Sequence, residues 1–196
     1  LKTSTKFMAI LKANAYGHGM LEVAHTCVKQ GVDYLGVALL DEALYLRENG
    51  INTPVLILGY TPPSALDEVV EYSFRQTIFD QKTAEALSDA AVKKGRKAFV
   101  HIKVDTGMSR TGFFTDEETV KTVAHICKLP GLTVEGIYTH LAAADSADET
   151  FTRLQLERFS GFLQALQKSG IEIPIRHAAN SAGIAFYPEA HYDLVR

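Results

Sequence analysis

The stretch Ala9–Gly19, AILKANAYGHG, closes an apolar run on Lys12 and then passes at once to Asn14, Tyr16 and a histidine between two glycines. An ammonium at the end of an apolar strand needs a partner or a task, because burying an unpaired charge is costly. Beyond it the period changes: over His18–Gln30, Leu21, Ala24, Cys27 and Val28 fall on one face of a helix. The unit is strand, polar loop, helix, and its recurrence decides the fold.

Short β-rich apolar runs recur at Phe7–Leu11, Tyr34–Leu39, Val55–Tyr60, Gln76–Phe79, Ala98–Val104, Val134–Leu141 and Ile173–Ala178. Segments of helical period separate them, the longest being Phe151–Lys168, which aligns Phe151, Leu154, Phe159, Phe162, Leu163 and Leu166. Gly31, Gly50, Gly95, Gly131 and Gly170 follow such segments, where a positive φ ends a helix cheaply. Thr115 and Glu118 have capping-box spacing, and Pro62 and Pro63 suit a helix entry. Strict alternation predicts parallel strands with right-handed crossovers and, with so many strands in sequence, an α/β fold of the closed (β/α)8 TIM type. An open doubly wound sheet is the alternative. A complete barrel of this kind takes about 250 residues, and the 196-residue chain ends on YDLVR, the start of an eighth strand. The expectation is one domain over 1–196, a barrel truncated at that strand.

The composition, with 46% hydrophobic and 22% charged residues and a net charge of -3, is that of a globular domain with a real core. Interspersed charges leave no basic footprint for nucleic acid and no block for a membrane surface. No run is long enough to span a bilayer, and the opening LKTSTKFMAIL lacks the features of a leader peptide. Cys27 and Cys127 lie far apart within helical patterns and read as small buried hydrophobes in a reducing compartment, so the expected location is the cytoplasm. No zinc-type spacing is present, and the expected partner is a small molecule or another protein.

In a parallel barrel the loops after the strands form the chemical face. Lys12 and Asn14 close the first run, Lys103, Asp105 and Arg110 the fifth, His140 the sixth, His177, Asn180 and Ser181 the seventh, and Arg196 the eighth. A lone strand-end lysine usually sends its ammonium to water. A lysine crowded by other cations loses basicity instead, and a free amine can condense with a carbonyl. His101, Lys103 and Asp105 alternate with Ile102 and Val104 and so share one side of a strand, where an ion pair of Lys103 with Asp105 or a neighbouring carboxylate is the plain expectation. His140 and His177 read as hydrogen-bonded structural histidines, and the Gly17–Gly19 turn is only a weak phosphate cradle.

The segments KANAYGHG, KVDTGMSRTG, THLAAAD, HAANSAG and DLVR, in this order along the whole chain, resemble the successive signatures of the alanine racemase family. The resemblance implies a barrel that binds pyridoxal 5'-phosphate, with Lys12 as the lysine that forms a Schiff base with it and moves the Cα proton on one face. Tyr16 and Ser181, with Asn180 beside it, are implied to hold the cofactor phosphate, and Arg110 to approach its phenolic oxygen. Lys103 matches a lysine that several members carry as a carbamate. Arg196 is implied to face the pyridine nitrogen with His140 bonded to it. A proton on that nitrogen would place two positive charges about 4 Å apart, costing roughly 4 kcal/mol at an effective dielectric of about 20, or about three pKa units.

The implied substrate is alanine, with serine or another small amino acid as the alternative, and a non-catalytic pyridoxal phosphate-binding barrel as the reading from another class. Family members are dimers, and their second acid/base is a tyrosine of a C-terminal β domain that is absent from this chain. The chain departs from the family pattern at Ser109, where glycine is common.

Overall fold

A computed structural model describes residues 4–196; the opening residues 1–3, part of the segment read for a leader, lie outside the described residues. Eight parallel strands close in sequence order into a barrel. They are β1 (Lys6–Ile10), β2 (Tyr34–Val37), β3 (Val55–Ile57), β4 (Arg75–Ile78), β5 (Ala98–Lys103), β6 (Leu132–Tyr138), β7 (Ile175–His177) and β8 (Leu194–Val195). The YDLVR segment supplies β8, which pairs Lys6 with Leu194 on β1 and His177 with Leu194 on β7. The intervening helices are α1 (Lys12–Tyr16), α2 (Met20–Lys29), α3 (Leu40–Glu48), α4 (Leu66–Glu71), α5 (Gln81–Lys93), α6 (Glu117–Ile126), α7 (Thr150–Lys168) and α8 (Ser181–Phe186). Among the described residues no helix is long and apolar enough to cross a membrane.

Strand alternation sorts the core into two compartments. Met8, Tyr34, Leu56, Ile175 and Leu194 pack inside the barrel, while Ala9, Leu35, Val55 and Ile57 face the helices. On β5 and β7 the inward row turns polar, because His101 and Lys103 alternate with the outward Ile102, and His177 joins them. β6 carries one more residue than β5 between Val134 and Gly136, a bulge that leaves Glu135 without a register partner. Glu135 turns instead to Arg75 at 3.1 Å and His101 at 3.2 Å. His101 then meets His177, Nδ1 to Nε2, at 2.9 Å.

Several local expectations change. Gly31, Gly50, Gly95 and Gly170 have positive φ, but Gly131 does not; a Cβ there would strike the Ser88 backbone, so close approach and not chain reversal requires glycine. Helix α6 is capped by Asp116, whose carboxylate accepts the Thr119 N–H at 2.8 Å, and not by Thr115. An aspartate directly before the first helical residue outcompetes a threonine one place earlier. The cysteines are not deeply buried: Cys27 is half-buried and Cys127, at the C-terminal end of α6, is exposed.

Gly136 faces the His101 ring so closely that a Cβ would overlap it. Gly136→Ala is therefore expected to cost about 1–3 kcal/mol through overpacking. Chemical denaturation measures it, and an unchanged midpoint would show that the barrel interior has slack there.

Candidate active site

The mouth of the barrel begins with an unusual turn. After Lys12 the residues Ala13, Asn14, Ala15 and Tyr16 all have φ between 52° and 55°, so α1 is one turn of left-handed helix. For L-residues this conformation costs roughly 1–2 kcal/mol each, about 4–8 kcal/mol over the turn. Nearby bonds offset it. The Gly17 N–H donates to the Ala13 and Asn14 carbonyls, the Gly19 N–H to Asn14 O at 3.1 Å, and the Met20 N–H to Asn14 Oδ1 at 2.8 Å. The last of these occupies the first N–H of α2, which weakens the Gly17–Gly19 turn as a phosphate cradle. The Lys12 ammonium lies 5.8 Å from the centre of the exposed Tyr16 ring.

Lys103, at the end of β5, is buried and bonded to the Thr111 hydroxyl. Among the described residues it has no ion pair with Asp105. That carboxylate accepts the backbone N–H groups of Gly107, Ser109 and Arg110 at 2.8, 3.0 and 3.0 Å. An aspartate at the head of a turn is claimed by the loop backbone, and the expected ion pair is corrected accordingly. Burial first, then the Arg110 and Arg196 charges, bring the Lys103 ammonium down to about 8.

Arg196 reaches the mouth from β8. Its Nη2 donates to the Thr139 carbonyl at 2.9 Å and lies 3.0 Å from His140 Nδ1. Arginine has no acceptor, so Nδ1 carries the lone pair and the His140 proton sits on Nε2. Burial, followed by the charges of Arg196, Arg110, Lys103 and Lys12, drives His140 down to about 3. Four cations thus surround one neutral imidazole. Arg196 Nε is buried and has no partner among the described residues. The Arg196 guanidinium lies 5.4 Å from the Tyr138 ring centre.

A second network ties the mouth together. The buried Gln155 of α7 accepts the Ala142 N–H at 2.8 Å and donates to Thr106 Oγ1 and to the His140 carbonyl. Asn180 caps α8 through the Gly183 N–H at 2.9 Å, and Ser181 beside it is exposed. His177 lies deeper, stacked on Tyr138 at 4.6 Å, as a structural member of the barrel interior. Gln155, Thr111, Tyr138 and Thr139 were missed from the sequence. Tyr138, two residues before His140 on the same strand, could have been found by alternation; Gln155, on a distant helix, carries no local signal.

The donors suit an anionic group: several cations converge with little carboxylate to neutralise them, and the orphaned Arg196 Nε seeks an acceptor. Pyridoxal 5'-phosphate, with its phosphate, phenolic oxygen and ring nitrogen, fits this set.

Fold and site together define a class, a (β/α)8 barrel whose mouth offers a lysine amine and guanidinium groups to a small anion. Residues 1–196 match the family described as "Alanine racemase, N-terminal domain", and the chain belongs to that family. It is 45% identical over 192 residues to an alanine racemase of Methanococcus maripaludis, covering 98% of this chain and 52% of that protein. An alanine racemase structure from Clostridium difficile 630 superposes with a TM-score of 0.98 at 38% identity, over 100% of this chain and 54% of that one. The Bacillus anthracis alanine racemase with bound L-Ala-P gives 0.93 at 31% identity, over 100% of this chain and 50% of that one. The chain spans about half the length of the relatives it matches.

Because the fold disfavours the Lys103 ammonium, the unfolded chain holds more protons between pH about 8 and 10.5, and stability rises with pH across that window. In CO2-free buffer Lys103→Met should raise stability by about 1–3 kcal/mol at neutral pH. The gain should shrink above pH 8 and vanish near 10.5. A gain that does not vary with pH in urea titrations would contradict this.

Proposed function

We propose that the protein to which this barrel belongs interconverts L- and D-alanine with pyridoxal 5'-phosphate as cofactor. The observation that carries the reading is the meeting of Arg196, whose Nε is buried without a partner among the described residues, with His140 at 3.0 Å, at the strand-end mouth that also holds Lys12 and the buried Lys103. The bound cofactor would supply an electron-withdrawing ring that acidifies the Cα–H of an amino acid joined to it.

Lys12 would hold the cofactor through its aldehyde, and its amine would take or return the Cα proton of the substrate on one face. The Tyr16 and Ser181 hydroxyls would hold the phosphate, with Asn180 setting the start of α8 through its cap on Gly183. Arg110 would pair with the phenolic oxygen. Arg196, whose buried Nε has no partner among the described residues, would offer this permanent donor to the ring nitrogen and disfavour a proton there. His140 and the Thr139 carbonyl hold Arg196 in place.

Lys103 is the proposed carbamate: its amine attacks CO2, the N–C bond forms, and one proton leaves to solvent. A buried lysine near 8 has the free amine this needs, and the carbamate anion relieves the repulsion among its neighbours. We assign the protein to the cytoplasm, as a homodimer at full length that supplies D-alanine for cell wall synthesis, with neither nucleic acid nor membrane as partner. The opposite-face acid/base is a tyrosine contributed from outside these 196 residues.

The test uses the full-length protein loaded with pyridoxal phosphate. L-Alanine should lose optical activity, borohydride should fix the cofactor on Lys12, and Lys12→Ala should lower the rate at least about a thousandfold. Label on another lysine, or an active Lys12→Ala, would overturn the assignment; a higher kcat/KM for serine than for alanine would move the substrate.

A further inference from the structure

We propose that Glu42 is the positioning residue for Lys12: its carboxylate pins the start of the left-handed turn and thereby aims the amine into the barrel mouth. This deepens the racemase reading, on which the role given to Lys12 rests.

The turn Ala13–Tyr16 contains no glycine, and only Asn14 among its residues tolerates the left-handed region readily. Its C-terminal end is closed by Asn14 and Gly17, as described above. At its N-terminal end the Ala13 N–H donates to Glu42 Oε1 at 2.6 Å. That N–H belongs to the peptide leaving Lys12, so holding it fixes the ψ of Lys12 and the point where the chain reverses its helical sense.

The other carboxylate oxygen, Oε2, accepts the Ala38 N–H at 2.6 Å and the Leu39 N–H at 3.1 Å. Glu42 is the third residue of α3, and its bond to Leu39 is half of an ordinary capping box. A cap needs nothing from residue 13. The Ala13 contact bridges 29 positions of sequence and joins the loop after β1 to the loop after β2. One half-buried carboxylate therefore receives three backbone donors from two active-site loops, each bond strengthened by its charge.

Only an acceptor at both ends can do this. In Glu42→Gln the amide nitrogen is a donor, so either Ala13 or the Ala38–Leu39 pair faces a donor in place of an acceptor. Glu42→Ala removes all three bonds. Asp80→Ala is the comparison, because Asp80 caps α5 through the Thr83 N–H at 2.8 Å without touching the Lys12 turn.

The experiment is made on the full-length protein with two readouts: hydrogen exchange of the Ala13 amide without cofactor, and the rate at which Lys12 condenses with added pyridoxal phosphate, followed by absorbance. Glu42→Ala and Glu42→Met, which leave no oxygen acceptor for the Ala13 N–H, should speed Ala13 exchange and slow the condensation by about tenfold or more. Asp80→Ala should lower Tm and change neither. Should Glu42→Ala not fold, Glu42→Met, with the length of glutamate and no oxygen acceptor, carries the test. Wild-type Ala13 exchange in Glu42→Ala or Glu42→Met, or condensation at the wild-type rate with a Tm loss like that of Asp80→Ala, overturns the proposal. If the wild-type protein itself does not condense at Lys12, the racemase reading falls, and Ala13 exchange alone still decides whether Glu42 pins the turn.

Discussion

Closure of the barrel through β8 is the constraint on which the site depends. Only Leu194 and Val195 form this strand, yet they join β7 to β1 and set the register of the last residue against the first loop. The Arg196 N–H then donates to the Ala179 carbonyl, and the side chain is directed over Tyr138 to Thr139 and His140. Without that junction β1 would be an open edge with unpaired backbone groups, and Lys12 and Arg196 would belong to opposite margins of a sheet. In the closed barrel they act on one imidazole. The junction between β8 and β1 is thus also what assembles the chemistry.

Charge is the second organising quantity. Four cations at one mouth repel each other, and the fold answers by keeping other groups neutral: His140 near 3, and His101 and His177 also held below their ordinary values by burial. Asp105, the carboxylate that acts on Lys103, is engaged by three loop N–H groups. The residual positive potential suits an anionic ligand better than solvent. It also explains why Lys103 is held well below the ordinary lysine range, since it combines burial with two guanidinium neighbours.

Much of this was legible in the sequence because the signals were periodic. His101 and Lys103 alternating with Ile102 located β5 and its inward face, and the apolar stripe of Phe159, Phe162 and Leu166 located α7. The motif residues fell at strand ends, where a barrel places its chemistry. What could not be read were contacts set by tertiary geometry. Nothing in Ala-Asn-Ala-Tyr announces a left-handed turn, because each residue alone prefers a right-handed or extended backbone. Glu42 lacked the usual signature, since the residue three places before it is Leu39 and not serine or threonine. Asp105 was misjudged for the opposite reason: the nearest cation in sequence was obvious, and the loop amides that claimed it were not.

The interior below the site follows the same logic. Burial alone would raise Glu135, but its bonds to His101 and Arg75 and the Arg75 charge bring it down to about 2, so it is an anion. An anion requires His101 Nε2 to carry the proton, which leaves Nδ1 as acceptor for the Nε2–H of His177. Each proton position determines the next, from Arg75 up to the ring stacked on Tyr138 beneath Arg196. A one-residue slip of β5 would turn His101 and Lys103 into the apolar layer under the helices and strand the Glu135 charge, so the polar row disfavours every slip that exchanges the two faces. Gly136 opposite His101 leaves room for the ring, and the bulge at Glu135 lets the carboxylate reach it. The histidines inside the barrel therefore act on the site through register: they fix which residues of β5, β6 and β7 arrive at the mouth.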